Sequence, residues 1–205
     1  MGIRELLRVH LAEEERRLGK AALSDLEVLI MLILGASDKP LSGTRVQKLV
    51  FLAAHELGLI KEVDFEPHHF GPYSDDVVAA EEELIKRGLI TIIQKKRALT
   101  RTGLKLYDIL KERYEELAKV VDRVINDTKS LSDRELVAYV YFLYPKYTTA
   151  SKILDEVLRN KVRYLIELYR KGAISLEFAA RASGLGLRKF MELLRSYGIR
   201  PPLSD

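Results

Sequence analysis

Residues 74–103 read SDDVVAAEEELIKRGLITIIQKKRALTRTG, a helix followed by a short hairpin. Ser74 stands where a helix N-cap would, the apolar positions behind it keep a helical period to Arg87, and Gly88 stops the run. Leu89 to Ile93 is β-branched and reads as a strand; Lys95, Lys96 and Arg97 form a basic turn, and Ala98 to Thr100 pairs back before Gly103. Two further helices precede this hairpin. Ser24 and Glu27 have capping-box spacing before an apolar stretch that ends at Gly35. After Pro40 and Gly43, Thr44 to Leu57 places Val46, Leu49, Val50, Ala53 and Leu57 on one face, and Gly58 ends it. Three helices followed by a short hairpin with a basic tip is the order of a winged helix-turn-helix. The expected fold class is therefore mainly α, with a small β-hairpin wing.

Working outward, residues 65–74 carry Pro67, Pro72 and Gly71 and read as a fixed loop closed by Ser74. Ile3 to Leu18 has the period of a surface helix, so 1–22 reads as a helical docking arm. On the other side, Leu104 to Asn126 reads as one long connecting helix. Its Tyr107, Leu110, Tyr114, Leu117, Val121 and Val124 follow a 4-3 spacing over roughly three heptads. Such a seam needs a partner, either the chain's own helices or a second copy as a dimer seam. Ser132 and Glu135 repeat the capping-box spacing for a helix broken at Pro145, and Thr148, Thr149 and Ser151 offer caps for a helix to about Lys171. The reading divides the chain into an arm (1–22), a winged-helix domain with its connecting helix (23–149) and a basic segment (150–205).

Charge singles out that last segment. The chain has 205 residues with 34 Lys+Arg against 30 Asp+Glu; residues 151–205 hold 11 and 6, net +5, and the first 150 hold 23 and 24, net −1. An anionic partner is sought first where the positive excess sits. Within it, Ser175 to Gly198 has the pattern of a bihelical DNA reader: a small residue where two helices cross, a turn residue tolerating positive φ four positions on, and apolar anchors beyond. Ala180, Gly184, Leu185, Phe190 and Leu193 supply those roles. The second helix, Leu187 to Tyr197, would turn Arg188, Lys189, Glu192 and Arg195 outward. Arginine bridges the major-groove edge of guanine in two bonds, and both basic types neutralise phosphates. Arg188 and Lys189 are placed to reach bases, and Arg181, Lys171 and Arg200 to hold phosphates. The bland alternative is a helical hairpin whose basic face is merely solvated. In the winged region Asp75, Asp76, Glu81, Glu82 and Glu83 crowd the third helix, which opposes a phosphate groove. Only the wing is basic: Lys95, Lys96, Arg97 and Arg101 either touch phosphates at the edge of a site or keep a hairpin tip soluble. An acidic helix beside a basic wing also suits a protein partner.

Composition removes other classes. With no Cys there is no disulfide framework, thiolate zinc site or cysteine nucleophile, and the cytoplasm is the expected compartment. The longest apolar run, Leu26 to Ala36 with Glu27 in it, is about half of the ~20 residues a membrane span needs. Few labile amides and 31 % charged residues lean toward a thermophilic source. His55, His68 and His69 lack carboxylates at ligand spacing, so no metal is expected. No P-loop, dinucleotide fingerprint, nucleophile elbow or His-Glu-x-x-His occurs, so neither a cofactor nor enzyme activity is expected.

Two resemblances add to this. Val46 to Leu52 with Gln47, Lys48 and Leu49, then His69 to Ser74 with Gly71, Pro72 and Tyr73, then Glu83 to Ile90, resemble the Panacea domain, the SocA-like and YwgA-like antitoxin group. Ser132, Asp133 and Leu136, then Tyr141, Tyr144, Pro145, Tyr147 and Thr148, are similar to the tail of that group, and the match covers roughly 23–151. Leu168 to Ser175, Ala179, Ala180, Gly184, Leu185 and Phe190 to Leu194 look like a second family, short prokaryotic predicted antitoxins with a helix-turn-helix. Together they imply an antitoxin-like regulator that binds double-stranded DNA, recognises a protein toxin or other partner, and represses its own operon. A homodimer is expected because repressors with one short reading helix pair two half-sites. His69, Gly71, Pro72, Tyr73 and Ser74 then lie on a partner surface, or serve only to build the turn. The alternative is a protein-only adaptor or neutraliser.

Overall fold

The computed structural model describes residues 23–200; the docking arm expected at 1–22 lies outside the described residues. The described chain is mainly helical, with a small antiparallel sheet. It divides into two compact units, one of 23–64 with Ser74–Ile125 and the other of Phe65–Tyr73 with 126–200. The division thus falls at Ile125 and Asn126 rather than near Thr149, and the segment 65–73 goes with the second unit.

In the first unit α1 (Asp25–Gly35) is buried from Glu27 to Leu34, as a helix apolar on all sides must be. The Ser24 backbone N–H donates to Glu27 Oε2 at 2.6 Å and the Glu27 N–H to Ser24 Oγ at 3.2 Å, so the expected capping box forms. Strand β1 (Leu41–Ser42) leads into α2 (Gly43–Glu56), where Ser42 Oγ accepts from the Arg45 N–H. The two-residue strand is too short to leave a period in the sequence. Helix α3 (Asp75–Lys86) follows, then β4 (Ile90–Ile93) and β5 (Lys96–Leu99). The sheet order is β1-β5-β4, all antiparallel, with Leu41 opposite Arg97 and Ile93 opposite Lys96. Gln94 and Lys95 have φ of 49° and 64°, so the tip is a two-residue turn with both central residues left-handed. Lys96 and Arg97, expected in the turn, lie on β5.

The single long helix expected from Leu104 to Asn126 is two helices, α4 (Arg101–Arg113) and α5 (Glu115–Thr128). Tyr114 between them has φ −110° and ψ 46°, outside the helical region. Tyr114 is 7 % exposed, so burial of this residue, not a helix-breaking side chain, fixes the joint. The 4-3 seam is spent inside the chain: Leu110, Tyr114, Leu117, Val121 and Val124 are buried, and the Tyr107 ring lies against Gly35, leaving no room for a Cβ there. It is not a dimer seam.

In the second unit β2 (Glu66–His68) and β3 (Gly71–Tyr73) form a hairpin with Pro67 opposite Pro72, where a loop was expected. Helix α6 (Asp133–Leu143) carries the second capping box, at Ser132 and Glu135. A 3-10 turn (Pro145–Thr148) precedes α7 (Leu154–Arg159), α8 (Lys161–Arg170), α9 (Leu176–Ser183) and α10 (Leu187–Ser196). The one helix expected to run to Lys171 is thus broken at Asn160. No helix among the described residues is long and apolar enough to cross a membrane.

Candidate nucleic-acid interface

Helices α8, α9 and α10 enclose one apolar cluster, Leu165, Ile166, Ala179, Ala180, Phe190 and Leu194. Ala180 is 2 % exposed, and its small side chain lets α9 and α10 pack closely. Ser175 Oγ caps α9 by accepting from the Phe178 N–H at 3.1 Å. At the far end Gly184 takes φ 79° and Gly186 φ 73°, and a Cβ at either would meet nothing within 4 Å. Glycine is required there by backbone conformation, not by space. The Ser183 hydroxyl fixes the turn between them, donating to the Ala180 carbonyl and accepting from the Leu185 N–H.

This frame aims α10. Phe190 and Leu194 are fully buried, so at 3.6 residues per turn Arg188, Glu192 and Arg195 form the opposite, outward stripe, with Lys189 beside it. The Arg188 side chain is 93 % exposed, its Nε donating to Glu192 Oε1 at 3.3 Å one turn away. Arg195, Lys189 and Arg200 are exposed; Arg181 is exposed too, its guanidinium 5.7 Å from the Phe178 ring centroid. Leu185, expected as an anchor, is 39 % exposed, and Leu194 fills the core instead.

Two expected phosphate contacts are engaged elsewhere. Lys171 Nζ donates to both Glu135 oxygens at 2.7 Å, with side chains 22 % and 13 % exposed. Burial alone would raise the Glu135 carboxyl, but the bonds from Lys171 and Ser132 outweigh it and hold the group below its usual range. Lys171 is therefore a structural cation of the second unit, not a free phosphate clamp. Arg97 of β5 makes a two-pronged pair with Glu81, Nε to Oε1 at 3.0 Å and the outer nitrogen to Oε2 at 3.3 Å. Glu81 is 4 % exposed, and desolvation pushes its carboxyl up against the opposing pull of Arg97. The guanidinium also covers Gly43, where a Cβ would meet it at 2.9 Å. Arg97 thus pins β5 to α3 and to the start of α2. Lys95, Lys96 and Arg101 remain exposed.

Part of the 69–74 segment is built into the fold, while Phe70 is 47 % exposed. Gly71 and Pro72 are buried, His68 stacks on Tyr73 at 4.6 Å, and the His69 carbonyl accepts from the Lys152 N–H at 3.0 Å and from Ser151 Oγ at 3.4 Å. Ser74 occupies the N-cap position of α3 but makes no side-chain cap bond. Its backbone is held by Gln47 instead: Gln47 Nε2 donates to the Ser74 carbonyl at 2.9 Å and the Ser74 N–H to Gln47 Oε1 at 3.0 Å. Gln47 and Ser74, 27 residues apart, are thus joined by a buried amide. No group of three or more His, Asp or Glu placed to hold a metal occurs among the described residues.

No protein-family model matches this chain, and neither does any curated protein or solved structure at the threshold of significance.

Proposed function

We propose that the chain is a non-enzymatic, cytoplasmic DNA-binding regulator, in which α9 and α10 form a helix-turn-helix and the first unit is a winged-helix module, Panacea-like, that receives a protein partner. One observation carries the DNA reading: the exposed stripe of Arg188, Lys189 and Arg195 on a helix whose other face is locked by Phe190 and Leu194. A short helix of that charge, carried by a tight turn on a three-helix core, fits the major groove. The winged-helix reading is supported by the element order α1-β1-α2-α3-β4-β5 and the strand order β1-β5-β4. An antitoxin that represses its own operon would combine these parts, with two copies on two half-sites paired through a surface other than the internal seam.

The wing stands outside the proposed DNA contact. Its Arg97 is paired, and Asp75, Asp76 and Glu82 are exposed on α3. Those carboxylates favour a basic protein partner for the first unit, and a protein-only adaptor is the second reading. Fluorescence anisotropy on duplex DNA from upstream of the chain's own coding sequence, against a scrambled duplex, separates the two. Selective binding weakened by Arg188→Ala/Lys189→Ala is expected. Equal binding to both duplexes at the ~10⁻⁴–10⁻⁶ M of non-specific contacts would overturn the regulator and leave the adaptor.

A further inference from the structure

The centre of the α10 stripe is a carboxylate, and a face built only to neutralise phosphates has no use for one. Glu192 stands one turn from Arg188 and three residues before Arg195, with its side chain 56 % exposed. It plays no part in the core, which Phe190 and Leu194 hold from the other side. Brought into a major groove, the carboxylate meets phosphate charge on both walls and acceptor edges on most bases. Guanine presents N7 and O6, and thymine presents O4, all acceptors that repel it. Adenine offers an N6 donor beside the N7 acceptor. Cytosine alone offers the N4 amino group without an adjacent acceptor on the same base.

Resting on the DNA-binding reading above, we propose that Glu192 is the specificity-determining residue of α10, accepting from the N4 amino group of cytosine, with Arg188 bridging a guanine within two base pairs of it. The spacing fits: one helical turn advances 5.4 Å along the axis, between one and two base-pair steps. The ion pair between the two side chains serves the free protein. At 3.3 Å the Arg188 guanidinium offsets the carboxylate, so the stripe approaches DNA as a net cation, and both side chains are aligned along one edge of the helix. On docking, each exchanges its partner for a base edge of matching polarity.

Selection of binding sites from a random duplex pool, with the full chain and with Glu192→Gln and Glu192→Ala, tests this. The wild type should recover a site with a guanine and a cytosine within two base pairs. Gln pairs with adenine N6 and N7, so Glu192→Gln should move that one position from cytosine to adenine, by roughly ten- to a hundredfold in relative affinity, and leave the others unchanged. Glu192→Ala should erase the preference at that position alone while binding all duplexes more tightly. If both variants recover the wild-type site and merely bind every duplex more tightly, Glu192 only shields Arg188 and the inference fails while DNA binding stands. If the wild type recovers no site at all, the DNA-binding reading fails and takes the inference with it.

Discussion

In the first unit Arg45 and Lys48 are 5 % and 2 % exposed and Arg97 is folded against Glu81, whereas in the second Arg188, Lys189 and Arg195 stand in solvent. In both sets the basic residues stand at helical or hairpin spacing. What differs is the neighbour. Where the fold buries a carboxylate, as at Glu81, a cation must follow it inside, because an isolated buried charge costs several kcal/mol. Where the core is wholly apolar, as beneath α10, cations are left free to face an anionic partner. The same division runs inside the second unit, where Lys171 is drawn to Glu135 while Arg188, 17 positions on, is not drawn inward.

This contrast can be broken at Arg97, where the largest stability effect is expected. Arg97→Ala strands the buried Glu81 and should cost about 3 kcal/mol in urea unfolding, whereas Arg188→Ala should stay within about 0.5 kcal/mol of wild type. The Arg97→Ala deficit has a direction with pH. Without its partner Glu81 has a folded pKa further above the unfolded value, so the deficit is smallest below about pH 4, where both states are protonated, and grows as pH rises through the carboxylate range. Equal costs at Arg97 and Arg188 would remove the distinction between internal and external cations.

Lys48 sharpens it. Burial lowers its pKa from 10.5 to about 7, so between those values the unfolded chain binds one more proton than the folded one. Stability from this group therefore rises with pH, by up to about 1.4 kcal/mol per unit between pH 8 and 10. Thermal or urea unfolding across that window should show Lys48→Met losing this slope relative to wild type; parallel profiles would put the ammonium in water. The smallest effect is at Lys171. Lys171→Ala should destabilise the second unit by about 1 kcal/mol, most above the carboxylate range, where Glu135 is ionised, and less as acid protonates it. DNA affinity should be unchanged, and a loss comparable to that of Arg188→Ala would return Lys171 to the interface.

How much of this was legible depends on the range of the interaction. The capping boxes at Ser24 and Ser132 and the left-handed Gly184 are local, and each is found where its spacing placed it. The breaks at Tyr114 and Asn160 are not local. Neither residue is a strong helix breaker, and the apolar period runs on past both. Strand β1 has two residues, and the β2–β3 hairpin sets proline against proline, so neither carries an alternation to read. At the candidate site the exposed face of α10 followed from its period, because Phe190 and Leu194 could face only one way. The capture of Arg97 by Glu81 and of Lys171 by Glu135, 16 and 36 positions apart, depends on tertiary contacts that charge patterning cannot rank.

On the proposed reading the cations of α10, and not those of the β4–β5 hairpin, neutralise DNA phosphates. Anisotropy of the full chain on one duplex across a salt series measures it, because the slope of log K against log salt counts the phosphates neutralised, at about 0.9 each. Lys189→Ala/Arg195→Ala should flatten that slope by about 2, and Lys95→Ala/Lys96→Ala should leave it at the wild-type value. A slope untouched by the first pair, or flattened as much by the second, would contradict the account.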